Sequence, residues 1–160
     1  DEVIFLPDEY LAKYVSLNTN VKIISWKGKC EVHEKFSKKD ILEIKSRSKD
    51  LEVVSHPECP PDVIAASDFT GSTGSMINHV KSTKAKNIFL VTECSMSDNV
   101  QIENPNINFI KPCNLCPHMK KIELPKILDC LKNYKNEIKI DQDIAKNAKR
   151  AISRMIEVGR

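Results

Sequence analysis

Short, mostly apolar runs alternate along the chain with segments whose apolar positions recur every three or four residues. The apolar runs occupy residues 3–6, 21–26, 51–55, 87–92 and 107–110. Runs of this kind are typical of strands, and the first is typical of a strand buried on both faces of a sheet. The intervening segments have the length and period of helices. This alternation predicts an α/β fold, with parallel sheets between helices in a three-layer αβα arrangement.

Residues that favour helix starts stand at the expected boundaries. Asp8 precedes an amphipathic segment as an N-cap, and Ser37 opens a sequence that resembles a capping box. Later in the chain, amphipathic helices are predicted at residues 122–134 and 144–158, with Asp141 as the cap of the second. The end of the chain is therefore expected to be helical.

An internal repeat relates two strand–helix–strand units. One begins with Ile4 in its first strand and ends at Cys30, 26 residues later; the other runs from Ile88 to Cys116, 28 residues later. Two copies of one unit would place both thiols at equivalent points of a pseudo-symmetric assembly, where parallel strands end and α/β proteins bind ligands. The alternative is that all strand–helix–strand units look alike and the cysteines coincide by chance.

Composition narrows the class of protein. The chain has 160 residues, 41% of them hydrophobic and 29% charged, which suits one folded domain or slightly more and excludes disorder. Its 25 Lys and Arg residues against 22 Asp and Glu give a net charge of +3, the basic residues are scattered, and only 6% of residues are aromatic, which argues against nucleic-acid binding. No apolar run approaches the roughly 20 residues of a membrane span.

Cysteine use points to the compartment. The sequence starts at Asp1 without a recognisable signal peptide, and its opening on a strand suggests that a preceding segment has been lost. Six cysteines without a secretory signal favour a reducing, cytoplasmic location and metal or catalytic use over disulfides. Three of the six are interpreted as structural, with the last as a small core residue on a helix: Cys59, Cys94 and Cys130.

The pair Cys113-x-x-Cys116 has several readings: half a zinc knuckle, a redox pair or a loop of iron–sulfur ligands. A complete zinc site needs a second pair, and the nearest match is Cys30-x-x-His33. A thioredoxin-like pair would open a helix after an early strand, whereas Pro117 follows this late pair. His33 itself is a metal ligand, a substrate contact or an ordinary surface histidine.

His56 and Glu58 follow a predicted strand and can point into one crevice above the sheet. A histidine and a carboxylate in one cleft form a competent acid–base pair. The alternative is an ordinary capped turn. His79 and His118 have no chemical partner in the sequence and are predicted to have no functional role.

Ser72 and Thr73 lie between two glycines, directly before a predicted helix. Hydroxyls and free N–H groups at such a position suit a phosphate or a carboxylate. The sequence matches neither the P-loop nor the dinucleotide-binding fingerprint. On its own this signal is weak.

Five sequence blocks carry the strongest functional signal when they are taken together. They are residues 26–36 (WKGKCEVHEKF), 56–61 (HPECPP), 71–73 (GST), 92–94 (TEC) and 116–120 (CPHMK). In order and spacing these blocks closely resemble the C-terminal half of bacterial-type quinolinate synthase, from end to end of the chain. As a set they are highly specific.

The resemblance implies a fold and an activity. Quinolinate synthases build three pseudo-threefold-related α/β domains around a central [4Fe–4S] cluster whose substrate-facing iron acts as a Lewis acid. They condense iminoaspartate, made by L-aspartate oxidase, with dihydroxyacetone phosphate and dehydrate the product to quinolinate for NAD synthesis. By this resemblance residues 1–30 end the second domain, residues 31–140 form the third, and residues 141–160 form a C-terminal helix.

The resemblance also implies the cluster ligands. One cysteine comes from each domain: Cys30 matches the ligand of the second and Cys116 that of the third, while Cys113 matches a non-ligand position. A complete member is about twice as long, and its first domain, third ligand and Tyr-x-Asn motif have no counterpart here. The chain is therefore expected to be a fragment or half of a split enzyme, inactive without an N-terminal half supplied in cis or in trans.

The remaining assignments concern the substrate. By resemblance His33 lies near the substrate, His56 and Glu58 are active-site residues with the carboxylate as proton shuttle, and Ser72 and Thr73 bind the substrate or its phosphate. Two other classes remain open. One is a zinc-stabilised or metal-free α/β module that binds phosphate without catalysis, and the other is a phosphate-binding α/β enzyme that needs no metal.

Overall fold

A computed structural model of the protein describes residues 1–111 and 114–159. These residues form two compact units, the first ending at Lys120 and the second starting at Lys121. No helix among the described residues is long and apolar enough to cross a membrane. The domain boundaries predicted at residues 30 and 140 stay predictions.

The first unit opens with a small parallel sheet. Strands β1 (Glu2–Phe5) and β2 (Lys22–Ser25) pair in parallel and are connected by helix α1 (Glu9–Leu17). Asp8 caps the helix as predicted, because its Oδ1 accepts the Leu11 N–H at 2.7 Å. This sheet and its crossover helix make up the first copy of the repeat up to the Cys30 loop.

A four-stranded parallel sheet forms the rest of the first unit. Its strands are β3 (Leu51–Ser55), β4 (Phe69–Thr70), β5 (Asn87–Val91) and β6 (Asn108–Ile110), in the order β4-β3-β5-β6. Helices α2 (Lys38–Arg47), α3 (Pro61–Ala66), α4 (Thr73–Ser82) and α5 (Cys94–Glu103) alternate with them. Every pairing between these strands is parallel, which confirms the predicted α/β class.

Alternate side chains of β3 and β5 pack on opposite faces of this sheet. One apolar cluster joins them to α2 and α3, and consists of Phe36, Ile41, Val53, Cys59, Val63, Phe89 and Val91. The other joins them to α4 and α5, and consists of Val54, Met76, Val80, Ile88, Leu90, Val100 and Phe109. The sheet thus lies between two helical layers, as predicted, and its carboxyl edge is left free to carry loops.

The prediction that the first strand is buried on both faces is wrong. Strand β1 forms where expected, yet Val3 and Ile4 are exposed. The reason is that, among residues 1–111 and 114–159, β1 pairs with β2 alone in a two-stranded sheet. One crossover helix covers only one face of such a sheet, so the other face of β1 meets solvent.

The second unit consists of helices α6 (Leu124–Asn133) and α7 (Gln142–Val158). Asp141 caps α7 as predicted, since its Oδ1 accepts the N–H groups of Asp143 at 2.9 Å and Ile144 at 3.1 Å. Both helices are amphipathic, and neither has a buried residue. The prediction that Cys130 is a core residue is therefore wrong: it is only half-buried.

Candidate active site

Loops that follow five parallel strands meet at one cavity of about 520 Å³. The predicted site residues that line it are Cys30, His33, His56, Glu58, Thr73 and Cys116. Four of these loops follow strands of the four-stranded sheet, whose carboxyl ends share one edge, and the loop after β2 of the two-stranded sheet brings Cys30 and His33 to the same cavity. The repeat-based expectation that Cys30 and Cys116 face a common centre agrees with this placement, while their role as ligands stays a prediction.

His33 lies at the centre of the site and is buried, so the interpretation as an ordinary surface histidine is wrong. It belongs to a 3₁₀ turn, His33–Lys35, that follows the Cys30 loop. Its Nδ1 lies 3.1 Å from Glu58 Oε2, and its Nε2 lies 3.0 Å from Thr92 Oγ1. With the proton on Nδ1, His33 donates to the Glu58 carboxylate and accepts from the Thr92 hydroxyl.

His56 stacks on His33, with the ring centroids 4.5 Å apart and the planes 10° from parallel. Its Nδ1 accepts the Glu58 N–H at 3.3 Å and lies 3.7 Å from Glu58 Oε2. Burial, reinforced by the neighbouring His33, lowers the pKa of His56. A neutral imidazole is thereby favoured at this position.

Glu58 joins the two histidines. The hydrogen bond from His33 lowers the pKa of the Glu58 carboxyl, and the nearby His56 acts in the same direction against the effect of partial burial. An ionised carboxylate therefore lies beside a neutral imidazole, and both groups are proton acceptors in these forms. The predicted acid–base roles of His56 and Glu58 stay predictions.

Cys30 completes a compact group of donor atoms with His33 and Glu58. One ligand atom from each residue lies within 4.8 Å of the others. Burial raises the pKa of the Cys30 thiol. A thiol, an imidazole and a carboxylate in this spacing are chemically able to hold a metal ion.

Cys116 approaches the cavity from the loop after β6. Its backbone N–H donates to Glu93 Oε1 at 3.4 Å, and a 3₁₀ turn, Met119–Lys121, follows it. Cys113, the other member of the Cys-x-x-Cys pair, lies outside the described residues. The zinc-knuckle and redox-pair interpretations of that pair therefore stay untested.

The two hydroxyls before α4 have different surroundings. Ser72 caps the helix: its Oγ accepts the Ser75 N–H at 3.3 Å and lies 2.9 Å from Ser75 Oγ. Thr73, the first residue of the helix, lines the cavity. Of the two predicted residues, Thr73 thus lies at the wall of the cavity, and a role of either hydroxyl in binding a ligand stays a prediction.

Sequence reasoning assigned no role to two buried residues of the site, Thr92 and Glu93. Both directly follow β5, and both line the cavity. Thr92 supports His33, while Glu93 caps α5 by accepting the Ser95 N–H at 2.8 Å. Their position after a central parallel strand was the available signal, since ligand-binding loops start there.

Residues predicted to be structural or without a role have other surroundings. Cys59 is fully buried in the core, and burial raises the pKa of its thiol to about 12, which confirms the structural interpretation. His79 Nε2 lies 2.6 Å from Glu52 Oε1, and His118 Nε2 lies 2.9 Å from Glu31 Oε1. Neither histidine lines the cavity.

Comparison with known proteins places this chain in a family. The family model described as quinolinate synthetase A protein matches residues 1–157 of the chain. The chain belongs to the quinolinate synthase family. It is 51% identical over 158 residues to a quinolinate synthase of Sinorhizobium fredii, covering 99% of this chain and 44% of that protein. It is 49% identical over 157 residues to one of Xylella fastidiosa, covering 98% of this chain and 46% of the relative.

The expected family resemblance is thereby confirmed. The chain is also 49% identical over 156 residues to quinolinate synthase 1 of Mesorhizobium japonicum. That match covers 98% of this chain and 48% of the relative. The chain therefore spans about half the length of the curated relatives that it matches.

Proposed function

We propose that this chain supplies one part of a quinolinate synthase active site, which condenses iminoaspartate with dihydroxyacetone phosphate and dehydrates the product to quinolinate for NAD biosynthesis. Membership of the family supports the reaction class, a transferase. The observation that carries the proposal is the single cavity in which Cys30 and Cys116 accompany the His33–Glu58–His56 group.

The donor set fits two ligands of an iron–sulfur cluster. Cys30 and Cys116 are soft thiol donors on loops that line one cavity, and each is preceded by a strand that fixes its loop. A third cysteine ligand would come from outside this chain. When bound, a [4Fe–4S] cluster supplies a Lewis-acidic iron that polarises an oxygen atom of the substrate.

The proton chemistry falls to Glu58 and His56. Glu58 is held ionised by the His33 hydrogen bond, so its carboxylate accepts a proton from the substrate. The neutral His56 imidazole, whose Nδ1 lies 3.7 Å from Glu58 Oε2, accepts that proton from Glu58 and returns it to the hydroxyl that leaves during dehydration. His33 orients the carboxylate and is itself fixed by Thr92.

The phosphate of dihydroxyacetone phosphate fits the start of α4. The first helical turn presents backbone N–H groups, and Thr73 adds a hydroxyl at the wall of the cavity. Helix N-termini attract anions because their N–H groups and dipole favour negative charge. Ser72 contributes by holding that turn in place as its cap.

The remaining half of a quinolinate synthase, supplied in cis or in trans, is the proposed partner. Apolar side chains that a complete assembly would cover are exposed at both ends of the chain, with Ile4 on β1 and Leu124 and Leu131 on α6 among them. L-aspartate oxidase, as the source of iminoaspartate, is the proposed functional partner in the cytoplasm. The chain alone is then inactive.

Complementation tests this proposal. The chain is co-expressed with the N-terminal half of the Sinorhizobium fredii relative and reconstituted anaerobically with iron and sulfide. We expect a brown chromophore and quinolinate formation, both lost on Cys30→Ala or Cys116→Ala and kept on Cys130→Ala, the matched control outside the cavity. Loss of the chromophore in the control alone, or its persistence in both cavity variants, would refute the ligand assignment.

A zinc-stabilised α/β module that binds phosphate without catalysis is the second candidate. The compact Cys30, His33 and Glu58 donor group favours it, since those residue types suit zinc. Stoichiometric zinc without a chromophore in the reconstituted protein would support this candidate. Phosphate binding that is indifferent to chelators would instead favour the metal-free form.

A further inference from the structure

The two copies of the repeat share a backbone pattern around their cysteines. In each copy, the residue that follows the helix cap donates its N–H to the carbonyl two positions before the cysteine. These bonds join Glu9 to Gly28 at 2.8 Å and Cys94 to Asn114 at 3.1 Å. Each crossover helix thus begins against the loop that carries its cysteine.

The pattern continues beyond each thiol. The carbonyl of Cys30 accepts the Glu34 N–H at 2.9 Å, and the carbonyl of Cys116 accepts the Lys120 N–H at 3.1 Å. The 3₁₀ turns that contain these donors start three residues after each cysteine. The segments after the two cysteines, 30–34 and 116–120, therefore share this hydrogen bond and a 3₁₀ turn at the same offset.

In both cap residues, the two carboxylate oxygens accept hydrogen bonds from different parts of the chain. Asp8 Oδ1 accepts the N–H of Leu11 in α1, while its Oδ2 accepts the N–H of Cys30 at 2.9 Å. Glu93 Oε2 accepts the N–H of Ser95 in α5, while its Oε1 accepts the N–H of Cys116 at 3.4 Å and the Ser95 hydroxyl at 3.3 Å. One oxygen caps a helix and the other holds a cysteine.

Capping alone does not explain this arrangement. Serine, threonine and asparagine cap helices as well as a carboxylate does, with one acceptor. Here Asp8 is 3% exposed and Glu93 8% exposed, so each second oxygen is withheld from water. A buried carboxylate oxygen needs a donor, and in both copies a donor is the N–H of the predicted ligand cysteine.

We propose that Asp8 and Glu93 are paired positioning residues that fix the backbones of Cys30 and Cys116, so that both thiols are in place before a cluster is bound. This inference rests on the proposed function, because it takes both cysteines as ligands. Groups that hydrogen-bond to metal ligands, without touching the metal, orient those ligands in this manner.

The amide variants Asp8→Asn and Glu93→Gln separate the two roles of each carboxylate. An amide keeps one acceptor oxygen for the helix cap but turns an NH₂ group toward the second N–H. Helix content and melting temperature should therefore change little, while the cysteine loop loosens. Asp141→Asn is the matched control, because Asp141 caps α7 through the N–H groups of Asp143 and Ile144 and, within the described part of the chain, contacts no cysteine.

Alkylation of the metal-free chain, followed by peptide mass spectrometry, is the first measurement. Asp8→Asn should speed modification of Cys30 several-fold and leave Cys116 unchanged, and Glu93→Gln should do the reverse. Cys130 serves as the internal reference. Equal alkylation rates in wild type and both variants would overturn the proposal, as would faster alkylation of all cysteines together.

Cluster retention is the second measurement, on the complemented protein. Each amide variant should lose its chromophore to a chelator about tenfold faster than wild type or Asp141→Asn. A wild-type protein that binds no iron, while the alkylation pattern is selective, would refute the proposed function and keep the positioning role. Full iron retention in both variants, with unselective alkylation, would refute the positioning role alone.

A variant that fails to fold still leaves a direct test. Hydrogen exchange of the wild-type chain should show the amides of Cys30 and Cys116 protected, in contrast to amides of exposed loops. Exchange of both amides at unprotected rates would overturn the proposal.

Discussion

The two copies of the repeat share the order of their elements and the hydrogen bonds around their cysteines, but their first strands differ in burial. Ile88 in β5 is 0% exposed, whereas its counterpart Ile4 in β1 is 74% exposed. Strand β5 lies between β3 and β6, whereas β1 has only β2 beside it. Local sequence therefore determines which element forms, and the neighbours of the element determine whether it is buried.

In the helices that follow the two cysteines, the difference in burial is reversed. Helices α2 and α6 both begin eight residues after a cysteine, and Ile41 and Ile127 both lie eleven residues after it. Ile41 is 0% exposed against the four-stranded sheet, whereas Ile127 is 43% exposed. The first copy is thus exposed where it starts, and the second where it ends.

The largest expected effect comes from truncating the matched isoleucines of α2 and α6. Ile41→Ala should reduce the free energy of unfolding by about 2–5 kcal/mol, because it leaves a cavity in a closed core. Ile127→Ala should cost less than about 1 kcal/mol in this chain, because that side chain is already partly hydrated. Urea denaturation of both variants measures the difference. Equal losses would mean that the two helices have the same surroundings in solution.

The elements were predictable because their signals are local. Asp8 and Asp141 were identified as caps from the sequence alone, and both act as caps. Burial was not predictable for Ile4 or Cys130, because it depends on whether a second layer is present. An apolar run indicates that a strand is suited to burial. It does not show whether this chain supplies the neighbouring elements that would bury the strand.

The candidate site was predictable in part for the same reason. The convergence of Cys30 and Cys116 was predicted from the repeat, since each cysteine follows the closing strand of an equivalent strand–helix–strand unit. The contacts of Thr92 and Glu93 with residues far away in sequence were not predictable, because they depend on how two loops meet. Tertiary contacts of this kind leave no local pattern.

A second prediction concerns what covers α6. If α6 docks in the remaining half of the enzyme as α2 docks here, Ile127→Asp should weaken binding of that half at least tenfold, because burying an unpaired charge is costly. Stability of the chain itself should be nearly unchanged. Isothermal titration with the complementing half measures the affinity.

The control for that experiment is Ile102→Asp. Ile102 is an exposed isoleucine on α5, a helix whose other face is already packed in the core. Its substitution introduces the same charge and should leave the affinity unchanged. Equal weakening by both variants would show a general charge effect and contradict docking through α6.

A third prediction removes the cap carboxylates altogether. Asp8→Ala and Glu93→Ala should each lower the free energy of unfolding by about 1–2 kcal/mol, because each loses a helix cap and leaves a cysteine N–H without its partner. Thermal denaturation measures the loss. The amide variants of the same residues should lose less, since they keep the cap. A loss as large in the amide variants would place the whole effect in the contact with the cysteine.

The smallest expected effect concerns the first residue pair in the parallel pairing of β1 with β2, compared with the first pair in that of β5 with β6. In the first copy Lys22 Nζ lies 2.9 Å from Glu2 Oε2, and in the second Asn108 Nδ2 donates to Asn87 Oδ1 at 2.9 Å. Lys22→Ala should change the free energy of unfolding by less than about 1 kcal/mol, because both charged side chains are exposed.

High salt distinguishes the ion pair of the first copy from the neutral hydrogen bond of the second. The cost of Lys22→Ala should disappear in 1 M salt. At that ionic strength the Debye screening length falls to about 3 Å, which is comparable with the separation of this exposed ion pair. The cost of Asn108→Ala should be the same in low and high salt, because a neutral hydrogen bond is not screened. Urea denaturation at the two salt concentrations gives both values. A cost of Lys22→Ala that persists in high salt would mean that β1 is more enclosed in solution than its exposed face indicates, and would remove the contrast between the two copies at its origin.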